Sequence, residues 1–168
     1  MEIRQATTDD LPRIMQILDL AHETMRRTGN PTQWPDTYPS VETMTDDINA
    51  HHAHVLTLNQ QIVATFTLMP SPEPNYANIT GPGWLDDDNP YMVIHRVAAD
   101  PSFHGAFDAI IAFCASQSNN LRIDTHTDNV IMRHCIRKHG FTYCGIVFYP
   151  GGGDRIAFQR LTNAQLNA

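Results

Sequence analysis

Residues 91–125 read as strand, helix, strand, and that order constrains the fold more than any other feature of the chain. Residues 91–99 (YMVIHRVAA) are mostly apolar, the composition of a buried strand. Asp100-Pro101 turns the chain. Residues 105–117 then carry Phe107, Ile110, Ile111 and Cys114 at the i, i+3, i+4, i+7 spacing of one buried helix face. Residues 121–125 return as a short strand. A strand that leaves a sheet through a helix and comes back lies parallel to its neighbour, with the helix covering one face. The chain is therefore expected to build an open sheet with helices packed against it.

The flanking segments extend the same plan. Residues 2–6 suit a short strand, and Thr8 caps a helix with Asp9, Asp10 and Pro12 in its first turn. Leu11, Ile14, Leu18, Ala21 and Met25 give that helix one apolar face, and Gly29 and Pro31 end it. Residues 41–50 are helical behind Ser40, and residues 54–58 and 62–69 are strands around a turn at 59–61. Asp128 or Thr127 caps a helix that runs to His139, with Met132, Cys135, Ile136 and His139 facing inward and Gly140 ending it. Residues 141–149 and 156–160 are strands joined by a turn at 150–153. The order β-α-α-β-β-β-α-β-α-β-β predicts an α/β (α+β) fold, a mixed central sheet of six to seven strands flanked by about four helices. At 168 residues it predicts a single domain over 1–168. Two proline-rich stretches, 31–40 and 70–90, interrupt the pattern, and the longer one is expected to shape a substrate opening.

Charge narrows the partners. Lys and Arg number 11 against 18 Asp and Glu, a formal charge of −7 with histidines neutral. That is too few cations for a nucleic-acid groove, and an acidic chain attracts cationic partners such as amines. Three cysteines, Cys114, Cys135 and Cys144, form an odd count without framework spacing, as expected of buried thiols in a reducing compartment. The segment MEIRQATTDD has charges where a signal peptide needs apolar residues, and no run approaches the ~18 apolar residues of a membrane span. A cytoplasmic protein with no membrane partner is expected.

Chemistry concentrates in two segments. In IHRVAADPSFHGAFDA (94–109) a strand feeds a helix start, whose free N–H groups and positive dipole end make an anion site. In LRIDTHTDNVIMRHCIRKHGFTYCGI (121–146) a strand leads to Asn129, a helix and Gly140-Phe141. With the TTDDLPRI helix start, the V-A-x-D-P-x-F/Y-x-G segment at 97–105 and N-x(10)-G-F at 129–141, the chain resembles the GNAT superfamily of N-acetyltransferases over residues 2–160. It is similar to small bacterial members with HRVAV and RIDTH-DN segments.

The resemblance implies an acyltransferase that uses acetyl-CoA as co-substrate, lodged in a V-shaped gap between the fourth and fifth strands. Such an enzyme moves the acetyl group to a primary amine of a small molecule or peptide by direct transfer in a ternary complex, and a homodimer is compatible with it. By position, Val97, Ala98 and Ala99 would face the pantetheine arm and the acetyl carbonyl, with the Val97 N–H a candidate oxyanion donor. His104, Gly105, Ala106, Phe107, Asp108 and Ala109 would hold the pyrophosphate, and Asn129 the pantetheine arm. Splayed strands leave backbone groups unpaired, and pantetheine amides can pair with them as an added strand would.

The chain departs from the family pattern in two places. The phosphate loop Q/R-x-x-G-x-G/A reads here as His104-Gly105-Ala106-Phe107-Asp108-Ala109. A histidine replaces the usual Arg or Gln, Phe107 the central Gly, and Asp108 brings a negative charge unless it points away. At about 4 Å that repulsion is roughly 1 kcal/mol in water and about 4 kcal/mol at an effective dielectric of 20. Ile136 stands where many members carry a Tyr that protonates the leaving thiolate, and Tyr143 and Tyr149, expected on one face of the next strand, are substitutes. For the base that deprotonates the amine, His95 comes first and His126 second, with Asp124 a further option. A catalytically impaired GNAT-fold acyl-CoA-binding or regulatory module is the alternative. Cys135 is read as packing rather than as a nucleophile, and the cluster His51, His52, His54 lacks matched ligands, so no metal is expected. Asp86, Asp87 and Asp88 attract an amine or form a solvated loop, and Trp34 and Trp84 line a pocket or anchor loops.

Overall fold

The computed structural model describes residues 1–162, and its elements follow the order read from the sequence. They are β1 (Glu2–Gln5), α1 (Leu11–Arg27), α2 (Val41–Asn49), β2 (Ala53–Leu58), β3 (Gln61–Pro70), β4 (Met92–Ala99), α3 (Ala106–Gln117), β5 (Asn120–Thr125), α4 (Val130–Lys138), β6 (Thr142–Tyr149) and β7 (Gly153–Leu161). All seven strands join one sheet in the order β1-β2-β3-β4-β5-β7-β6. Every pairing is antiparallel except β4 with β5, the pair joined through α3.

Helices cover the sheet because strand side chains alternate. Neighbouring Val55 and Leu56 of β2 fall in different apolar clusters, as residues on opposite faces must. Val55 packs with Ile14, Ile17 and Leu18 of α1 and Met44 of α2. Leu56 packs with Phe66, Phe158, Ile110 and Ile111 of α3 and Ile136 of α4. No helix among the described residues is long and apolar enough to cross a membrane.

Two helix starts differ from the sequence reading. Thr7 rather than Thr8 begins the first helical segment, a short 3-10 turn over Thr8–Asp10 ahead of α1. Its N–H donates to the Asp10 carboxylate at 2.8 Å, which also takes two bonds from Arg4 at 2.7 and 2.9 Å. Asn129, not Asp128 or Thr127, caps α4, its Oδ1 accepting the Met132 N–H at 3.0 Å.

The loop between β3 and β4 is pinned by Arg122 of β5 and Gln159 of β7, which bonds the backbone of Leu85 and Asp86. Arg122 of β5 is 1% exposed, and its guanidinium lies between Trp84 and Tyr91, 4.0 and 3.7 Å from the ring centroids. It donates to the Asp86 carbonyl and to Asp87. Trp84 is thus a loop anchor, and the acidic run holds its own turn and Arg122. Pinned there, the loop presents Glu73 and Tyr76 to the open end of the sheet.

Candidate active site

β4 and β5 pair only at Met92 with Leu121, Val93 with Arg122, and Ile94 with Ile123. Yet β4 continues to Ala99 and β5 to Thr125. On the other side of β4, Thr67 pairs with His95 and Thr65 with Ala98, so Arg96 and Val97 together oppose Phe66. This is a β-bulge, which bends and twists a strand. Arg96 takes a φ of 52°, a region rarely occupied by residues other than glycine. The ladder ends where the bulge begins, and the two strands part.

Two cavities open at the parting. The first, about 330 Å³, is walled by Trp34 and Tyr38 of the α1–α2 loop, His95 and Arg96 of β4, and Asp124 of β5. Tyr149 and Arg155 of the β6–β7 hairpin close it. The second, about 220 Å³, lies between the end of β4 (Val97, Ala98, Ala99), the start of α3, and Met132 and Cys135 of α4. Both are lined by Val97, Asn129 and Met132, so they meet there.

Charged and hydroxyl groups converge on the first cavity. His95 Nε2 lies 3.1 Å from Glu73 Oε2. Glu73 is fixed in turn by the Asn75 N–H at 3.0 Å and the Asn75 side-chain amide at 2.9 Å. Burial pushes the Glu73 carboxyl up, but the bonds from His95 and Asn75 outweigh it and leave it below the ordinary value. An ionised carboxylate only accepts, so the neutral His95 ring carries its proton on Nε2 and leaves Nδ1 as a lone pair. That Nδ1 lies 4.0 Å from Asp124 Oδ2, beyond a direct hydrogen bond. Asp124 Oδ2 accepts the hydroxyls of Tyr76 and Tyr149, each at 2.7 Å. Burial first, and the Asp124 charge second, push both phenols well above their ordinary range, so they hold Asp124 rather than yield protons.

The remaining wall is tied by side-chain bonds. Arg96 donates from Nη1 to Asp47 at 2.9 Å. Its guanidinium lies 5.7 Å from the Tyr38 ring centroid, and burial raises the Tyr38 phenol despite that cation. Arg155 donates to the carbonyls of Gly152, Asp154 and Gln33. Gln33 Oε1 receives the Asn129 amide at 2.9 Å, joining the α1–α2 loop to the start of α4.

At the second cavity, α3 begins with Gly105 at a φ of 82° and no side-chain cap. The N–H groups of its first turn have no intrahelical partner, as at any helix start. Phe107 lines the cavity and packs edge-on against His139, centroids 5.3 Å apart. Asp108 is drawn to α4, 2.9 Å from His139 Nε2 and 3.7 Å from Lys138 Nζ, and is not among the lining residues. His104 is exposed beside Gly105, while Ala106 is buried and Ala109 half-buried.

The structure thus brings His95, Asp124, Tyr149, Trp34, Val97, Ala98, Ala99, Ala106, Phe107 and Asn129 to the two cavities, and His126, Tyr143, His104, Gly105, Asp108 and Ala109 line neither. His126 turns to the Asp128 N–H at 3.1 Å and borders a separate surface pocket. Tyr143 is 41% exposed and packs on Phe158. It does not share a face with Tyr149, because a bulge between Tyr143 and Gly145 reverses the alternation of β6. Ile136 is fully buried in the α3-side core and offers no acid. Cys135 is only half-buried and lines the second cavity instead of packing inward. His54 stacks on Phe66 with centroids 5.1 Å apart, a packing role. The sequence reading missed Glu73, Tyr76, Arg96 and Arg155. Glu73 sits in an irregular stretch 22 residues from His95, and no spacing rule links them.

The sequence matches no protein-family model and no curated protein. Solved structures do match. A GNAT-family acetyltransferase from Streptococcus agalactiae 2603 is 29% identical, with a TM-score of 0.87 over 96% of this chain and 95% of that one. Ribosomal-protein-alanine N-acetyltransferase from Brucella melitensis shares the fold at 17% identity, with a TM-score of 0.62 over 96% of this chain and all of its own (100%). AAC(6')-Ib in complex with ribostamycin and coenzyme A shares it at 16% identity, with a TM-score of 0.63 over 99% and 98%.

Proposed function

We propose that this chain, which belongs to the GNAT superfamily of acyltransferases, moves an acetyl group from acetyl-CoA to a primary amine by direct transfer in a ternary complex. The observation that carries the reading is the early end of the β4–β5 ladder at Ile94 and Ile123, with two cavities meeting beyond it at Val97. One cavity suits a donor arm and the other an acceptor. The residues fit acetyl-CoA: the open side of residues 96–99 can pair with its amides, and the start of α3 offers N–H groups to its phosphates. Asp108 is held by His139 and Lys138, which keeps its charge off that site. AAC(6')-Ib, a neighbour in fold, was captured with coenzyme A.

When bound, acetyl-CoA supplies the acyl group as a thioester whose sulfur leaves with the bonding pair. The chain supplies orientation and proton transfer. Acceptors 4.0 Å apart, His95 Nδ1 and Asp124, can both be reached by one ammonium nitrogen at ordinary hydrogen-bond distance. Asp124 holds the ammonium, His95 Nδ1 takes one proton to free the lone pair that attacks the thioester carbonyl, and the second proton lost from nitrogen on forming the amide goes to the departing thiolate or to solvent. Glu73 keeps the tautomer that leaves Nδ1 free. The Val97 N–H is the oxyanion donor of this reading. No acid from α4 is needed, because a thiol of ordinary pKa about 8.5 departs as thiolate at modest cost. The chain offers no ready thiolate to carry the acyl group: burial pushes Cys114 up to about 12 and raises Cys144, and burial and Asp108 raise Cys135.

The test is a melting curve with and without acetyl-CoA, followed by thiol release across an amine panel. Acetyl-CoA at 100 times its Kd should add about 2.7 kcal/mol of stability. No shift at millimolar acetyl-CoA sinks the reading. The altered loop at His104 and Phe107, with Ile136 at the acid position, favours a second reading, an acyl-CoA-binding module without turnover. A shift with no thiol release from any amine would select it.

A further inference from the structure

The first cavity carries more charge than a plain amine acceptor explains. Asp124, Arg96 and Arg155 all line it. Asp124 is accounted for by the amine. Arg155 is 7% exposed, and each of its hydrogen bonds among the described residues goes to a backbone carbonyl, none to a carboxylate. Arg96 meets Asp47 through Nη1 alone, and its buried Nε has no partner among the described residues. The β-bulge and the φ of 52° hold this side chain at the parting of the strands, and strained backbone of that kind marks functional sites.

A buried cation without a counter-charge is costly, and among the described residues Arg155 is one that a ligand anion would relieve; Arg96 is partly neutralised by Asp47 but keeps an unpaired Nε. A polycationic acceptor would add like charge against two guanidiniums. The volume of about 330 Å³ lies at the small end for ligand pockets and suits a compact molecule. We infer that the acceptor is a compact zwitterion of the amino-acid type, its amine between Asp124 and His95 and its carboxylate balanced by Arg96 and Arg155. Trp34 and Tyr38 provide the apolar wall for its side chain. This inference rests on the acetyl-transfer reading of the same site.

Matched pairs test it: an amino acid and the amine left by its decarboxylation, such as phenylalanine with phenethylamine, leucine with isoamylamine, and tyrosine with tyramine. Each is titrated calorimetrically into the protein with and without CoA. At least one amino acid should bind about tenfold or more tighter than its amine, the scale of charge-assisted hydrogen bonds. Arg96→Gln should pull that ratio toward one while moving the amine's own Kd less. Arg155→Gln should do the same; Arg155→Lys, which keeps the charge, should retain most of the ratio, and Arg155→Met replaces the glutamine variant if that one does not fold. Equal or tighter binding of the amine in every pair overturns the inference, as does no binding of any amino acid at millimolar concentration. Thiol release from acetyl-CoA is read in parallel. Release with amines but not amino acids overturns the zwitterion and leaves acetyl transfer standing. Selective amino-acid binding without release supports the zwitterion and counts against transfer.

Discussion

The two ends of β4 do opposite work. From Met92 to Ile94 it is paired on both sides, and Val93 and Ile94 are 0% and 1% exposed. From His95 to Ala99 it has no β5 partner, and the side chains at its start are a histidine and an arginine, both half-buried. The paired end is apolar because both its edges are satisfied by neighbouring strands and its side chains pack into the core on either face of the sheet. The parted end begins with two polar side chains that line the first cavity, and its backbone strain at Arg96 is tolerated because the paired end holds the strand in place. Stability and chemistry are thus separated by a few residues along one strand, with the bulge as the boundary.

The comparison can be broken by substitutions on either side of the boundary. The largest effect is expected at the parted end. His95→Gln should lower kcat/KM about a hundred- to ten-thousand-fold, the usual worth of a general base, with little change in Tm. A large Tm loss with the rate intact would move His95 to the structural side. At the paired end, Leu121, 1% exposed and opposite Met92, should behave in reverse. Leu121→Ala should cost about 2–5 kcal/mol in denaturant unfolding and leave acetyl-CoA affinity of the folded protein unchanged.

Gly105→Ala gives a smaller effect. A Cβ there meets nothing within 4 Å, so the cost is the left-handed backbone alone, about 1–2 kcal/mol. It should weaken the acetyl-CoA melting shift if the start of α3 holds the phosphates, and an unaltered shift would show that it does not.

The smallest effect serves as a control far from the boundary. The Arg4 guanidinium holds the Asp10 carboxyl down to about 2, from an ordinary 3.8. A depressed carboxyl contributes stability that is complete above its ordinary value and fades as pH falls toward the depressed one. Stability should therefore drop between about pH 4 and pH 2, and Asp10→Asn should flatten that limb without altering turnover at pH 7. An unchanged acid limb in the variant would refute the assignment.

Element order was legible because each element's signal is local. The i, i+3, i+4, i+7 stripe of α3 gave Ile110, Ile111 and Cys114 as core, and all three are buried. The parallel β4–β5 pair followed from the helix between them. Alternation failed where backbone geometry departs from the period: the bulge in β6 parted Tyr143 from Tyr149, and the helix-cap positions moved by one or two residues. Cys135 lies on the helical stripe by spacing, but the parted strands leave a cavity there instead of a core.

The sequence by itself determined the order of strands and helices, the buried stripes, the placement of His95 in the central strand and Asn129 at a helix start, and the resemblance carried by residues 97–105 and 129–141. Local propensity and periodicity set these, since each depends on neighbours within a few residues. Only the tertiary structure decided that Glu73 meets His95, that two tyrosines from different segments converge on Asp124, and that Arg96 and Arg155 share a cavity. Those contacts join residues brought together by a bulge, a pinned loop and a strand that ends its pairing early, and no one-dimensional pattern records where chains far apart in sequence come to rest.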